Sequence, residues 1–459
     1  MVRKIFSILI VVMMVLGISL TTASAASTKG MIGINVVLTG DITQVRMDKL
    51  AAFGKIRDVL YEIDALTMKA PKENLKAIRA LPFVAAANPD AERKGAPVDS
   101  VLVDNFSNGM DTWDQDAINV TEFGVTDRKV DYDGTGVYVA VLDTGLLDSW
   151  RQYFPEERIA EDYAIAFGGG GGEMGTVSTQ PDKWQRDQDS HGTHVTSTIL
   201  GYSLGGTPIN GVAPMATVIP VKVLNQNGSG WSSVIARGIM YVAELKENEL
   251  SEFPVIINMS LGGRMLDAVE KAAIDYAISK GVIIVASAGN SGEAGMGYPG
   301  AYAPVISVAA SGWVGEWTPA GNRSWWNNLD VPDPTNADDY YITDFSSREL
   351  AGQDLDVAAP GSWVVGPYQV NSGQTSYYFL GGTSMASPHV AGIVALMAQK
   401  YPELTATEAE AILEGSAIPL PAGSSDVAQP NGTTITYTWG DDATGAGLAT
   451  ADAALLVTP

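Results

Sequence analysis

VYVAVLDTG, residues 137–145, is an apolar run that ends on an aspartate and a Thr-Gly turn. An unbroken apolar run of this length reads as a strand buried on both faces, the condition of a parallel sheet covered by helices. Working outward, Ala216–Val223, Val255–Asn258 and Val282–Ala286 repeat the pattern between helical stretches. From about Val101 to Pro459 the chain therefore reads as one α/β domain with a central, mostly parallel sheet between helical layers.

Ahead of it lies a smaller unit. Strands are expected at Met31–Leu38, Ile56–Glu62, Ala65–Lys69 and Phe83–Ala87, with helices at Gln44–Phe53 and Lys72–Ala80. The order β-α-β-β-α-β is ferredoxin-like, a small α+β domain. A polar tract, Pro89–Ser100, then reads as a linker and a processing site. At the very start, Arg3 and Lys4 precede an apolar run, Ile5–Leu20, and Ala23-Ser24-Ala25, which is the pattern of an export signal cleaved after Ala25. The run falls short of the roughly 20 residues that span a bilayer. The expected organisation is residues 1–25 as signal, 26–100 as a pro-segment and 101–459 as the main domain, with a secreted, extracellular product.

Of the 459 residues none is cysteine, which removes disulfides and thiol nucleophiles. The net charge of −24 is unevenly spread: residues 1–100 carry 13 basic and 9 acidic side chains, a balance of +4, against −28 for the rest. So acidic a main domain argues against nucleic acid and anionic membrane as partners and favours solubility as a monomer. The glycines Gly168–Gly172 read as a flexible loop, with no Gly-Lys-Ser/Thr after them to cradle phosphate. Trp313–Asp344 holds four tryptophans and the acidic group Asp330, Asp333, Asp338 and Asp339, and reads as a surface insertion.

Only three histidines exist, His191, His194 and His389. A serine nucleophile needs an imidazole base, and that base needs a carboxylate to fix its tautomer. Asp143, at the end of its apolar strand, is the candidate carboxylate. Three segments, VAVLDTG (Val139–Gly145), SHGTHV (Ser190–Val195) and GTSMASPHVAG (Gly382–Gly392), together resemble the subtilisin family of serine peptidases, in that family's Asp, His, Ser order. INMSLGG (Ile257–Gly263), VASAGNSG (Val285–Gly292), YPGAYAPVISVAA (Tyr298–Ala310) and DVAAPG (Asp356–Gly361) extend the likeness over residues 110–459.

The resemblance implies a three-layer subtilisin-like fold and a catalytic triad of Asp143, His191 and Ser384, with Asn290 and the amide of Ser384 as oxyanion donors. His194 and His389 are then structural. Ser384 opens a small-residue helix whose free amides favour negative charge, and Pro388 is expected within its first turn or so, where a missing amide costs little. Protein or peptide substrates would add as strands to Ser260, Leu261 and Gly262 on one side and Asn227, Gly228, Ser229 and Gly230 on the other. Gly297 would floor a pocket open to bulky apolar side chains before the scissile bond. The N-terminal segment resembles this family's propeptides, folding aids and inhibitors, which implies removal by self-cleavage within Asp90–Asn105, with retention as a permanent domain the alternative.

The chemistry implied needs no cofactor, and metal ligands stay unassigned. The stretch GYSLGGTPINGVAP (Gly201–Pro214) departs from the family's calcium loop; the acidic insertion near Asp338 reads as a solvated loop first and as a site for structural calcium second. Other readings fit less well. Asp143-Thr144-Gly145 has no second copy to form an aspartic dyad. His191 and His194 lack the glutamate of a HExxH zinc site. A catalytically silent binding or chaperone protein on the same fold is the remaining alternative.

Overall fold

A computed structural model describes residues 30–103, 112–122, 127–168, 177–317, 331–371 and 373–459. The export signal, Gly169–Gly172 of the glycine loop, Asp330 and two of the four tryptophans lie outside them.

The N-terminal unit has the expected topology: β1 (Met31–Leu38), α1 (Gln44–Ala51), β2 (Lys55–Leu60), β3 (Ala65–Pro71), α2 (Leu75–Arg79) and β4 (Val84–Pro89). The strands pair antiparallel in the order β2-β3-β1-β4. Alternation along β1 and β3 sends Ile34, Val36, Leu66 and Met68 into a core under both helices. The opposite face, with Leu60 and Ala65, joins the core of the main domain.

The tract after β4 is not a free linker. It forms β5 (Glu92–Lys94) and β6 (Asp99–Leu102), each paired to the main domain. Its composition reads as loop because it brings few apolar side chains, but its backbone donors and acceptors find partners on sheet edges, which side-chain pattern does not report.

The main domain continues with α3 (Trp113–Ala117), β7 (Tyr138–Asp143), β8 (Ile165–Ala166), α4 (His191–Leu200), the hairpin β9 (Gly201–Leu204) and β10 (Thr207–Asn210), β11 (Thr217–Lys222), β12 (Ser229–Trp231) and α5 (Ser232–Asn248). It goes on through β13 (Val255–Met259), α6 (Ala268–Ser279), β14 (Val282–Ser287), β15 (Ile306–Trp313), β16 (Tyr340–Ile342), β17 (Val357–Pro360), β18 (Val364–Pro367) and β19 (Tyr377–Gly381). The chain closes with α7 (Thr383–Lys400), α8 (Ala406–Ser416), β20 (Gly423–Ala428), β21 (Thr434–Trp439) and α9 (Ala451–Val457).

The central sheet runs β16-β15-β14-β13-β7-β11-β8, with β17 also on β15; every pairing is parallel except the edge strand β16. Successive residues of β7 enter different cores: Val139 and Val141 pack with α4 and α7, whereas Ala140 and Leu142 pack with α5 and α6. Burial on both faces is why these strands are apolar throughout. The order reverses at β7, which has β11 on one side and β13 on the other, and such a switch opens a crevice at the strands' C-terminal ends.

Trp313–Asp344 is not the surface insertion its composition suggests: the aromatic residues described in it are buried. Trp313 ends β15 and is buried, β16 returns beside it, and Trp317 packs edge-on against Trp363 and Phe379. Rings of this size are worth more inside than on a surface.

Candidate active site

Five elements bring side chains to the crevice. Asp143 is the last residue of β7, His191 the first of α4, Ser260 follows β13, Asn290 follows β14, and Ser384 is second in α7. His191 Nδ1 lies 2.8 and 3.0 Å from the two carboxylate oxygens of Asp143. Both side chains are fully buried. Burial of the ring works against its protonation, yet the charge and hydrogen bond of Asp143, with Asp189 and Asp187 behind, hold its pKa above the usual histidine range. Thr144 Oγ1 accepts from the Gly192 amide at 2.8 Å, tying the aspartate's turn to the helix that carries the imidazole.

The other histidines serve elsewhere. His194 sits 3.1 Å from the Val364 carbonyl, and its pKa is pushed down to about 3 by burial and the neighbouring His191. His389 is held by the Met385 carbonyl at 2.8 Å and Asp114 at 2.9 Å.

Ser384 Oγ donates to the Ser260 carbonyl at 3.3 Å, and His191 Nε2 has no hydrogen-bond partner among the described residues. The hydroxyl and the imidazole are therefore not bonded here. Pro388 is the sixth residue of α7, just past its first turn. Its missing amide would have served the Ser384 carbonyl. That carbonyl takes a hydrogen bond from Ser260 Oγ at 2.8 Å instead. Asn290 Oδ1 accepts from the Thr383 amide and hydroxyl at 2.9 and 2.8 Å, which leaves its Nδ2 for the cleft beside Gly382 and Ser384.

The cleft is filled by the chain's own residues 92–97. β5 pairs antiparallel with β12, setting Arg93 opposite Gly230 and Lys94 opposite Ser229. On the other side Lys94 exchanges both backbone hydrogen bonds with Gly262 at 2.9 Å, and the Gly95 amide donates to Gly228 O at 2.9 Å. Ala96 lines a cavity of about 690 Å³ together with Asn290, Gly297 and Ser384. Beyond it, Val98 donates to Gly381 and β6 pairs with β19. Gly228, Ser229, Gly230 and Gly262 thus form the edges, and Gly297 the pocket wall, that the sequence points to. Asn227 only closes an exposed turn on Asn225, and the Leu261 side chain is buried in the core.

Sequence reading missed Glu270, the first-turn carboxylate of α6, which receives Arg93. Its signal was an acid on the same helical face as the buried Val269, Ala273 and Ile274. No carboxylate lies within Gly201–Pro214, and β9–β10 there is a hairpin with Tyr202 and Leu204 buried, which does not suit a hard cation. Asp333 pairs with Lys129 at 2.8 Å. Among the described residues Asp354, Asp356 and Glu410 bring carboxylate oxygens within 4.8 Å of one another, and Asp338 is not one of that group.

A serine at a helix start, an aspartate-bound histidine and a strand-lined cleft at the switch point of a parallel sheet define a serine endopeptidase. Residues 134–447 match the subtilase family, and the chain belongs to it. It is 35% identical over 290 residues to Subtilisin DY of Bacillus licheniformis, covering 62% of this chain and 85% of that protein. With Thermitase of Thermoactinomyces vulgaris the figures are 31% over 268 residues, 58% and 77%. Among solved structures, Sphericase is similar at TM-score 0.52 and 30% identity, over 74% of this chain and 98% of that one. Fervidolysin from Fervidobacterium pennivorans, a keratinolytic enzyme related to subtilisin, shares the fold at TM-score 0.65 and 24% identity, over 94% of this chain and 61% of that one.

Proposed function

We propose that this subtilase is a secreted endopeptidase made as a self-inhibited precursor, in which Asp143, His191 and Ser384 carry the chemistry. Asp143 orients the ring, and His191 takes the Ser384 proton as the hydroxyl attacks the peptide carbonyl, then returns it to the leaving amine. Asn290 Nδ2 and the Ser384 amide receive the oxyanion. No cofactor takes part. Gly297 leaves room for a bulky apolar side chain before the bond. The released enzyme acts as a monomer, with proteins or peptides as substrates.

The single observation that carries this reading is the chain's own segment, Arg93–Ala96, strand-paired between Gly228–Gly230 and Gly262 and running past Ser384. A bound peptide of a substrate would use the same backbone bonds. Continuity from there into β6 supports inhibition before cleavage, and cleavage within Asp90–Asn105 as the release step. The positive N-terminal unit against an acidic main domain favours their association. No helix among the described residues is long and apolar enough to cross a membrane, and the N-terminal apolar run reads as an export signal.

The test is the purified full chain beside its Ser384→Ala variant. The wild type is expected to trim itself between residues 90 and 105, take a fluorophosphonate label at Ser384 and digest casein, and the variant to do none of these. A folded wild type that stays intact and unlabelled would favour a silent binding protein on this fold.

A further inference from the structure

Arg93 is a guanidinium with no exposed surface, in a segment laid along the cleft. Its Nε donates to Glu270 Oε1 at 3.0 Å and its Nη2 to Glu270 Oε2, while Nη2 also reaches the Met265 carbonyl at 3.0 Å. Both side chains are wholly buried. The pocket is shaped for the group: a Cβ on Gly263 would stand 2.8 Å from Arg93 Nη1 and 2.3 Å from the Glu92 carbonyl. Ala96 lines the same cavity as Ser384, and counting back from it as the first residue before the bond, Arg93 is fourth.

We propose that Glu270 is a specificity determinant: the enzyme selects substrates with arginine at the fourth position before the scissile bond. This inference rests on the reading of the cleft given above. The backbone partners of Arg93 are edges open to any extended peptide, so the Glu270 pocket meets the side chain at that position whichever peptide is bound. A planar fork of donors matches both carboxylate oxygens at once. An apolar side chain there would cover Glu270 and leave its carboxylate unpaired, and an acidic one would add repulsion. Lysine supplies the charge without the fork and ranks second.

The test uses activity released from the full chain, by self-cleavage or by a brief cut with a second protease, and counted by fluorophosphonate labelling. Acetyl-Xaa-Ala-Ala-Phe coumarin amides with Arg, Lys, Leu or Glu at Xaa are compared by kcat/KM. Arginine is expected to exceed leucine roughly tenfold or more, with glutamate slowest. Glu270→Gln should flatten that order and Glu270→Leu reverse arginine and leucine. A wild type that labels and cleaves all four within twofold, or prefers leucine, overturns the Glu270 assignment and leaves the peptidase reading standing. Absence of labelling after either treatment removes both.

Discussion

Ser260 and Ser384 grip each other twice: the hydroxyl of Ser260 donates to the carbonyl of Ser384 at 2.8 Å, and the hydroxyl of Ser384 donates to the carbonyl of Ser260 at 3.3 Å. The first bond replaces the one Pro388 cannot supply. Ser260→Ala strands a buried carbonyl at the start of α7, which costs about 1–3 kcal/mol. Denaturant unfolding of Ser260→Ala in a Ser384→Ala background should report that loss, and an unchanged midpoint would mean water or a helix shift serves the carbonyl instead.

Asn290 is held by its oxygen, so its nitrogen is the end presented to the cleft. Asn290→Leu keeps approximate size and removes the donor. The expected fall in kcat is about 10²- to 10³-fold, with KM little changed, because the bond forms only as the oxyanion develops. Steady-state kinetics on a short amide substrate separates this from a binding role, in which KM would rise instead.

Asp143 raises the His191 pKa against the opposing effect of burial. A general base must be neutral, so activity falls as pH drops through that raised value. Asp143→Asn should move the acid limb of the kcat/KM profile to lower pH and cut its plateau, on the order of 10⁴-fold by analogy with other triads. An acid limb that does not move would assign the limb to another group.

Much of this was legible in the sequence because strand burial leaves a pattern. The buried strands β7, β11, β13 and β14 fall within a residue or two of their expected bounds. Asp143 ends one of these strands and Asn290 follows another, whereas His191 and Ser384 open helices and were marked by the segments SHGTHV and GTSMASPHVAG that resemble the subtilisin family. What stayed hidden was set by backbone pairing or by distant partners. Pro89–Ser100 has loop composition, yet its strands are made by the edges at Ser229–Trp231 and Tyr377–Gly381. Glu270 and Arg93 stand 177 residues apart, and neither announces the other.

Asp187 lies behind the triad, accepting from the amides of Asp189 and Ser190 at 2.9 and 2.8 Å. Burial pushes its pKa up to about 7, against the opposing pull of Lys222. For a carboxyl raised on folding, the native state keeps a proton that the unfolded chain has lost, so its contribution is complete below about pH 4 and disappears as pH rises through about 7. Melting curves of the Ser384→Ala chain between pH 4 and 8 should show that decline, and adding Asp187→Asn should flatten it. An unchanged slope would place the titration elsewhere.

Asp90 joins the two domains at a helix start. It accepts from the Ser233 amide at 3.0 Å, the Ser233 hydroxyl at 2.6 Å and the Ser232 hydroxyl at 2.9 Å, and so caps α5 from the N-terminal unit. Asn88 does the same for α6, through the Ala268 amide at 3.0 Å. The start of α5 therefore depends on a residue that would leave with a pro-segment, its free amides then passing to water, whereas α6 keeps its own cap, Asp267, on the amides of Val269 and Glu270. Asp90→Ala should cost about 1–2 kcal/mol, the worth of a cap, in the uncut Ser384→Ala chain. In the wild-type background the same change should speed the appearance of fluorophosphonate-reactive enzyme, because the inhibitory strand is held less firmly. Slower appearance would mean that the cap matters more for folding the main domain than for restraining it.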